Sequence, residues 1–458
     1  MNRFNKTCLH AAFERKIGNS FAARRAAWVS LSIGLAGSLF GANGSWKFDF
    51  GPGEVAPGFT QVLPDTQYST ERGFGFESGS KPEGVSAKAG DPLTSDFITS
   101  ATPFLFSARV PEGNYRVTVT CGDPDKESVL TVKAELRRLM VERLVVPAGK
   151  TRKATFIVNT RSPNIVAKGD IKAGVVDLKK PREIEMEAFA WDDKLTLEFN
   201  NAHPAVCAVE IEPVDVPTIY IIGDSTSCDQ PREPFASWGQ MLPVFFKPTI
   251  AVANHGESGE SYTASLGRRR IDKIASLLRP GDVVIMQFGH NDQKERGEGK
   301  GPFANYKENI KKHVEMVRAQ GGVPVVVTPM ERRGFDANGK VRPSLADYAE
   351  GARIAAKENN VALIDLNAIS IPFYEFLEAK GKDYSRKAFA GQDNTHHDNY
   401  GAYELAKAIA QGLRENRLKI AEQLVDGFTN FDPHHPDDVE KFDVPPSTGR
   451  NGPRPLGD

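Results

Sequence analysis

The stretch Thr218-Ile-Tyr-Ile-Ile-Gly-Asp-Ser-Thr226 joins a continuous apolar run to a Gly-Asp-Ser turn. An apolar run of this length that stops at a glycine is typical of a strand that is buried on both faces. Such strands occur in parallel sheets, because helices cover both faces of those sheets. The stretch therefore predicts the first strand of a parallel sheet, with Ser225 just beyond the strand end.

Four comparable apolar runs follow this strand, and helical segments lie between them. The runs are residues 250–253, 283–288, 323–327 and 361–366. Residues 305–320 and 345–358 are predicted helices, and a last helix is predicted over 400–425, packed against the sheet. Strands that alternate with helices at this spacing form a parallel sheet with helices on both faces. The second half of the chain is therefore predicted to be an α/β domain.

The first half of the chain, from residue 46 to about 213, has short segments in which apolar and polar residues alternate. Alternation is clear at 115–120, 195–199 and 209–211. Several such segments, separated by Gly, Pro, Asn and Asp clusters, predict an antiparallel β-sandwich. The glycine- and aromatic-rich stretch 48–76 is either a sugar-contacting surface or the edge strands and loops of an ordinary sandwich.

The first 42 residues form a basic leader with six Lys or Arg side chains and one acid. An uncharged stretch, 26–40, follows Arg24-Arg25 and ends at Gly41-Ala42. A basic start, an apolar stretch of about 15 residues and a small-residue exit are typical of a secretory signal. An uncleaved anchor is the alternative, although a membrane span needs about 20 apolar residues. We expect a signal peptide over 1–42 and export to the periplasm or the medium.

The composition excludes several classes of protein. The 458 residues are 40% hydrophobic and 26% charged, which is typical of globular proteins and unlike disordered, collagen-like or polytopic membrane chains. The formal net charge is −1, and because the leader carries +5, the remaining chain carries −6. A mildly acidic body without a basic tract argues against nucleic acid as the partner.

The cysteines and a histidine pair give weaker signals. The cysteines after the leader are Cys121, Cys207 and Cys228. They are too few for a disulfide framework, and none of them forms a C-x-x-C pair. Whether Cys121 and Cys207 pair is left open, and Cys228 is expected to be a small packing residue. His434-His435 is either a metal pair or part of a solvated tail.

Residues with catalytic chemistry follow the predicted strands, where ligands of a doubly wound sheet bind. The segments are Gly223-Asp-Ser-Thr226, Asn254-His-Gly-Glu-Ser-Gly259, Gly289-His-Asn-Asp292 and Gln392-Asp-Asn-Thr-His396. Each alone is also an ordinary turn or helix cap. Together they supply a hydroxyl, a backbone N–H at a glycine, an amide and an Asp–His pair, which are the parts of an acyl-transfer site. The sequence lacks a Gly-x-Ser-x-Gly motif, so the α/β-hydrolase fold is not supported.

These segments, in this order, resemble those of the SGNH (GDSL-like) hydrolases over roughly residues 217–426. The forms Gly-Asp-Ser-Thr, Gly-His-Asn-Asp and Asp-Asn-Thr-His resemble the rhamnogalacturonan acetylesterase branch, and the first half is similar to a galactose-binding-like sandwich. The resemblance implies a flavodoxin-like three-layer α/β/α domain with five parallel strands, preceded by an all-β sandwich. The expected boundaries are a signal peptide at 1–42, the sandwich at 43–215, the catalytic domain at 216–430 and an irregular tail at 431–458.

The resemblance also implies roles for individual residues. Ser225 is the expected nucleophile, His396 the base, and Asp393 the acid that orients the imidazole. The expected oxyanion hole consists of the N–H groups of Ser225 and Gly259 and the side chain of Asn291. No cofactor and no metal ion are implied.

Two of these assignments have alternatives within the same segments. Gly256 is the alternative to Gly259, which is preferred because its spacing agrees with the family pattern. His397 is the alternative to His396, which is preferred because the family uses the histidine three residues after the acid.

The family branch implies a substrate, namely acetyl groups on pectic rhamnogalacturonan, whose galacturonate units are anionic. Glu331-Arg-Arg333 follows the fourth strand, so Arg332 and Arg333 either contact those carboxylates or form a solvated basic loop. One alternative is an esterase with the same site that acts on another acetylated glycan or a lipid ester. Another is a carbohydrate-binding protein whose hydrolase domain is inactive.

Overall fold

The structure, a computed structural model, describes residues 44–86 and 91–448. The predicted signal peptide at 1–42 lies outside these residues. Across the described ranges, no helix is both long enough and apolar enough to cross a membrane.

The front domain is built from β-strands that form two large sheets. In the described residues its strands are β1 (Trp46–Phe50), β2 (Thr60–Val62), β3 (Phe74–Phe76), β4 (Glu83–Ser86), β5 (Asp96–Thr99), β6 (Phe104–Arg109), β7 (Gly113–Cys121), β8 (Ser128–Ala134), β9 (Arg138–Val146), β10 (Arg152–Thr160), β11 (Asn164–Ile165), β12 (Gly174–Val175), β13 (Lys194–His203) and β14 (Val206–Pro213). One sheet has the order β10-β7-β14-β1-β2, with β5 and β4 added at β14, and the other has the order β3-β6-β13-β8-β9. The predicted all-β front domain is confirmed.

Phenylalanine rings fill the space between these two sheets. The ring centroids of Phe48 and Phe50 lie 5.0 and 4.9 Å from that of Phe106. Phe74 and Phe76, at the other end of the glycine-rich stretch, are also buried. Alternate residues of a strand point to the same face, which places these rings inward together. These aromatic side chains are therefore part of the core and not of a sugar-contacting surface.

The second half of the described chain contains a parallel sheet of five strands. These are β15 (Thr218–Gly223), β16 (Ala251–Asn254), β17 (Val283–Gln287), β18 (Val323–Val327) and β19 (Ala362–Ile364). Their spatial order is β16-β15-β17-β18-β19, and every neighbouring pair is parallel. This is the flavodoxin-like order, in which the sheet grows outward in both directions from its first strand. The five predicted parallel strands are confirmed.

Helices cover both faces of this sheet. They are α1 (Trp238–Met241), α2 (Tyr262–Gly267), α3 (Arg270–Leu277), α4 (Lys307–Ala319), α5 (Ala346–Glu358), α6 (Leu366–Ala379) and α7 (Asn399–Glu415). Ile219 and Ile221 of β15 pack in one apolar cluster with α1, α6 and α7, whereas Tyr220 and Ile222 pack in another with α3, α4 and α5. The alternation within β15 thus separates two cores, which confirms the three-layer α/β/α architecture.

Two helix predictions need correction. The last helix ends at Glu415 and not near 425, because Arg417 adopts a left-handed φ of +55° and a separate short helical turn, Lys419–Gln423, follows. Helix α6 was missing from the prediction. It begins after Asp365, whose side chain accepts a hydrogen bond from the N–H of Ala368. That aspartate is a helix N-cap, but it lies within the apolar run 361–366, so the pattern placed Leu366 at the end of a strand.

The described part of the C-terminal segment, 431–448, returns to the front domain. It is irregular except for the turn Val439–Lys441. The Nζ atom of Lys133 donates to the carbonyl oxygen of Pro445 at 2.7 Å and to Oγ of Ser447 at 2.9 Å. The exposed side chain of His435 contacts Asp432.

The three cysteines of the described residues, Cys121, Cys207 and Cys228, are buried free thiols. Burial raises the pKa of Cys121 to about 11, so this thiol stays protonated at neutral pH. Cys228 packs among buried polar groups three residues after Ser225, with its sulfur 3.5 Å from Oγ of Ser258.

Candidate active site

The turn after β15 holds Ser225 at the carboxyl end of the parallel sheet. Gly223 is needed there because a side chain would collide with the backbone carbonyl of Gln287 on the neighbouring strand. The next residue, Asp224, closes the turn, since its Oδ1 accepts hydrogen bonds from the N–H and hydroxyl of Thr226 at 3.0 and 2.7 Å. Local hydrogen bonds therefore hold the backbone around Ser225 in one conformation.

A serine, a histidine and an aspartate form a continuous hydrogen-bonded chain at this edge. Nε2 of His396 lies 2.8 Å from Oγ of Ser225, and Nδ1 of His396 lies 3.0 Å from Oδ2 of Asp393. The second carboxylate oxygen of Asp393 accepts hydrogen bonds from the N–H groups of Thr395 and His396, at 2.7 and 2.9 Å. All three members of the chain are buried.

The environment of Asp393 keeps its carboxyl group ionised. Burial raises the pKa, but the hydrogen bonds from the imidazole and from the backbone outweigh burial and hold the pKa well below its ordinary value. An ionised carboxylate next to Nδ1 favours the tautomer in which Nδ1 carries the proton. Nε2 is then an acceptor for the hydroxyl proton of Ser225, which is the arrangement a serine nucleophile needs.

His397, the alternative histidine, lies away from Ser225. Its Nε2 atom is 2.8 Å from the hydroxyl of Tyr374, and its ring lies against Phe389 with centroids 4.5 Å apart. Burial lowers its pKa to about 3, so the ring is neutral at neutral pH. The structure thus brings His396, and not its neighbour, to the serine.

Gly259 and Asn291 follow β16 and β17, the two strands on either side of β15, and a hydrogen bond joins their segments. The side-chain amide of Asn291 donates to the carbonyl oxygen of Glu260 at 2.9 Å. Gly259 has a φ of +74°, in the left-handed region that favours glycine. The N–H of Gly256, the alternative glycine, donates to Oδ1 of Asn254 at 3.1 Å and so holds its own loop.

The two arginines after β18 have different surroundings. Nε of Arg332 donates to Oγ1 of Thr395 at 3.2 Å, one residue before His396. With its amide oxygen turned toward Arg332, Gln293 accepts hydrogen bonds from the guanidinium at 2.5 and 2.6 Å. Arg332 therefore lies at the rim of the site.

Arg333, in contrast, is buried and directed away from that rim. Its guanidinium donates to Oγ of Ser385 at 2.8 Å and to Oδ1 of Asp383 at 2.6 Å, and it lies 3.4 Å from Glu378. Because Arg333 is buried and its charge is already balanced by two carboxylates, whereas the threonine and glutamine beside Arg332 are neutral, the structure does not bring Arg333 to the site.

Other residues near Ser225 had no role in the prediction from sequence. The side chain of Gln230 donates to the carbonyl oxygen of Ser225 at 2.6 Å. The ring of Phe235 meets the imidazole of His396 edge to face, with centroids 5.9 Å apart. Both belong to the loop between β15 and α1, and the one signal for them in the sequence is that this loop directly follows Ser225.

A cluster of three carboxylates lies beside the Gly259 loop. Glu183, Glu187 and Glu257 place oxygen atoms within 4.8 Å of one another in the described residues. Nε of Arg182 lies 2.5 Å from Glu187 and 3.1 Å from Glu257, so a guanidinium already balances part of this charge. The donor set is therefore that of a buried ion-pair network.

The chain matches two known families, one in each half. Residues 221–403 match the GDSL-like Lipase/Acylhydrolase family, and residues 46–141 match the Beta-agarase/YXIM esterase-like, galactose-binding domain-like family. The chain is 34% identical to rhamnogalacturonan acetylesterase RhgT of Bacillus subtilis (strain 168) over 222 residues, which cover 45% of this chain and 94% of that protein.

A second relative extends over both domains. The chain is 26% identical to the uncharacterized esterase YxiM of Bacillus subtilis (strain 168) over 383 residues, which cover 81% of this chain and 91% of that protein. The crystal structure of the YxiM protein from Bacillus subtilis aligns with a TM-score of 0.42 at 24% identity, over 82% of this chain and 99% of that chain.

Proposed function

Since this chain belongs to the GDSL-like lipase/acylhydrolase family, whose members are carboxylic ester hydrolases, we propose that it removes acetyl groups from pectic rhamnogalacturonan with Ser225, His396 and Asp393 as its catalytic residues. The observation that carries the proposal is the unbroken hydrogen-bonded chain from the serine hydroxyl through the imidazole to an ionised carboxylate.

The reaction begins with attack of the Ser225 oxygen on the acetyl carbonyl carbon. Nε2 of His396 takes the hydroxyl proton as the new C–O bond forms, and Asp393 stabilises the imidazolium. The tetrahedral intermediate then collapses, the ester C–O bond breaks, and the imidazolium returns the proton to the sugar oxygen. His396 next takes a proton from water as the water oxygen attacks the acetyl carbon. The bond between that carbon and the Ser225 oxygen then breaks, acetate leaves, and the imidazolium returns the proton to the serine oxygen.

The negative charge on the intermediate's oxygen is stabilised by three donors. These are the N–H groups of Ser225 and Gly259 and the side-chain amide of Asn291. Donors of this kind stabilise the transition state more than the substrate, because the charge develops only as the carbonyl carbon becomes tetrahedral.

The proposed substrate is supported by the names of relatives and by one arginine. The relative at 34% identity is a rhamnogalacturonan acetylesterase. Arg332, beside Thr395 and Gln293, is near enough to the site to meet a galacturonate carboxylate. The body of the chain carries −6 and repels a polyanion weakly, so attraction to the substrate must be local to this rim.

The protein is proposed to act outside the cytoplasm, because its first 42 residues have the pattern of an export signal. In this assignment residues 1–42 are the signal peptide, 43–215 the sandwich, 216–430 the catalytic domain and 431–458 the tail.

The test is acetate release from acetylated rhamnogalacturonan by the parent protein and by Ser225→Ala. We expect release by the parent and its loss in the variant. Ser265→Ala is the matched control, because Oγ of Ser265 lies 3.0 Å from Nε2 of His313 in a buried Ser–His pair outside the site. Release that persists in Ser225→Ala contradicts the proposed nucleophile.

A panel of substrates tests the polysaccharide. Acetylated xylan, p-nitrophenyl acetate and a lipid ester are compared with acetylated rhamnogalacturonan at equal acetyl concentration. We expect the highest kcat/KM on rhamnogalacturonan. A higher kcat/KM on acetylated xylan or the lipid ester contradicts the pectic substrate but not the esterase activity. Polysaccharide binding without any acetate release identifies the chain as an inactive binding protein.

A further inference from the structure

A segment of the front domain reaches into the loop that carries Gly259. We call residues 179–187 the positioning segment; it lies between β12 and β13 and includes the helical turn Arg182–Met186. The Nζ atom of Lys179 donates to the backbone carbonyl oxygen of Ser258, and Nη2 of Arg182 donates to Oγ of the same serine at 3.0 Å. Two cations of the front domain thus bind the residue that precedes Gly259.

The acidic residues on either side of Gly259 are held in the same way. Nζ of Lys179 lies 2.7 Å from Oε1 of Glu260, and Nε of Arg182 lies 3.1 Å from Oε1 of Glu257. Ser258, Glu257 and Glu260 are all buried. Ion pairs that are buried in this way are costly to break, because removing one partner leaves the other charge buried and unpaired.

The catalytic domain anchors the positioning segment in return. Nη1 and Nη2 of Arg270, in α3, donate to the two carboxylate oxygens of Glu183 at 3.0 and 2.5 Å. A bidentate pair of this kind fixes orientation as well as distance. The positioning segment is therefore held rigidly against the loop that it contacts.

The contact of Lys179 with Ser258 acts directly on the N–H group of Gly259. The carbonyl oxygen of Ser258 and the N–H of Gly259 belong to one peptide group, which is planar and trans, so the two point in opposite directions. A cation that holds the carbonyl on one side consequently directs the N–H to the other side. Glycine at 259 leaves this peptide free to rotate, because glycine adopts many backbone conformations.

We propose that Lys179, supported by Arg182, is a positioning residue that sets the direction of the Gly259 N–H and thereby assembles the oxyanion hole. The proposal rests on the serine esterase function proposed above. It gives the front domain a part in catalysis, because a residue from the front domain completes a site whose reacting groups all lie in the α/β domain.

The test compares the parent protein with Lys179→Met and Lys179→Arg on p-nitrophenyl acetate. We expect Lys179→Met to lower kcat about 10–100-fold, since a misplacement of about 1 Å costs about 10²-fold, and to change KM less than about twofold because the donor acts in the transition state. Lys179→Arg keeps a cationic donor and should recover most of the lost kcat.

Two further measurements separate positioning from loss of structure. Phenylboronic acid adds to a serine oxygen to form a tetrahedral adduct, so its Kd should rise in Lys179→Met by about the factor by which kcat falls. Glu112→Gln is the matched control, because it removes another ion pair between the two domains, to Lys273 at 2.6 Å, away from the Gly259 loop. We expect that variant to keep the parent's kcat and Kd.

Unchanged kcat in folded Lys179→Met, or a change in KM alone, overturns the inference. If Lys179→Met does not fold, Lys179→Gln serves instead: it keeps a polar side chain but removes the cation that contacts the Ser258 carbonyl and Glu260, and an unchanged kcat in that variant overturns the inference equally. Asn291→Ala in the same assay separates the two proposals. If kcat falls in Asn291→Ala but is unchanged in Lys179→Met, only the positioning role is rejected. Full activity in Ser225→Ala rejects the proposed function itself.

Discussion

The side chain of Asn291 and the backbone of Glu260 are joined by a hydrogen bond of 2.9 Å, in which the amide donates to the carbonyl oxygen. This bond connects the ends of β16 and β17 and holds the segment that contains Gly259 next to the amide of Asn291. Two of the three proposed oxyanion donors therefore depend on each other for their position.

Asn291→Ala should lower kcat by about 10²–10³, the effect of removing one oxyanion donor, with little change in KM. Steady-state kinetics on p-nitrophenyl acetate measures both. Asn416→Ala is the matched control, because Nδ2 of Asn416 also donates to backbone carbonyl oxygens, at 2.9 Å, outside the site. Equal kcat in the two variants contradicts a role for Asn291.

Asp393→Asn should lower kcat by about 10³–10⁴, because the amide can no longer favour the required tautomer of His396. Asn416→Asp, a carboxamide-to-carboxylate change outside the site, shows what a change of this size does elsewhere in the fold. A decrease in kcat of less than about tenfold is inconsistent with the assigned role of Asp393.

The same carboxyl group should affect stability in acid. Its pKa is lower in the folded than in the unfolded protein, so its stabilising contribution is complete above the unfolded value of about 4. That contribution is lost as the pH falls through the lower, folded pKa. Urea unfolding at pH 7 and pH 3 should show a smaller loss of stability for Asp393→Asn than for the parent, and equal losses contradict the lowered pKa.

Asp398, the N-cap of α7, should make stability depend on pH in the opposite sense. Burial raises its pKa to about 7, although the N–H of Gly401 donates to the carboxylate. The folded protein then binds more protons than the unfolded chain between about pH 4 and pH 7, so stability decreases as pH rises through that range. Asp398→Asn keeps the cap and should flatten this dependence in urea unfolding. The same slope in the variant assigns the dependence to another group.

The neighbouring arginines should differ in what they affect. Arg332→Ala should raise KM for acetylated rhamnogalacturonan about 10-fold, the effect of losing one hydrogen bond to a charged group, and leave p-nitrophenyl acetate hydrolysis unchanged. Arg333→Ala should instead lower Tm by about 2–4 °C, as a loss of about 1 kcal/mol does in a domain of this size, because Ser385 and Asp383 each lose one hydrogen-bond partner. Kinetics on both substrates and thermal unfolding distinguish the two, and an unchanged KM in Arg332→Ala excludes the contact with the carboxylate.

Much of the fold follows from local patterns in the chain. The five apolar runs predicted five parallel strands, because only strands buried on both faces are apolar throughout. The helix α6 escaped prediction because the apolar segment before it continues into the helix, and periodicity does not separate the two. The end of α7 at Glu415 was also not predictable, because Arg417 in the left-handed conformation follows the helix and no glycine or proline marks that point in the sequence.

The sequence by itself determined which residues meet around Ser225, because the carboxyl ends of parallel strands lie at one edge of the sheet and Asp393 is three residues from His396. The tertiary structure alone decided that Arg332 lies at the rim of the site and Arg333 does not, since their adjacent side chains contact different partners. It alone also brought Lys179 to Ser258 across 79 residues of chain. No spacing encodes such contacts, because the packing of one domain against another determines them, and the catalytic roles drawn from both sources stay predictions for the assays above.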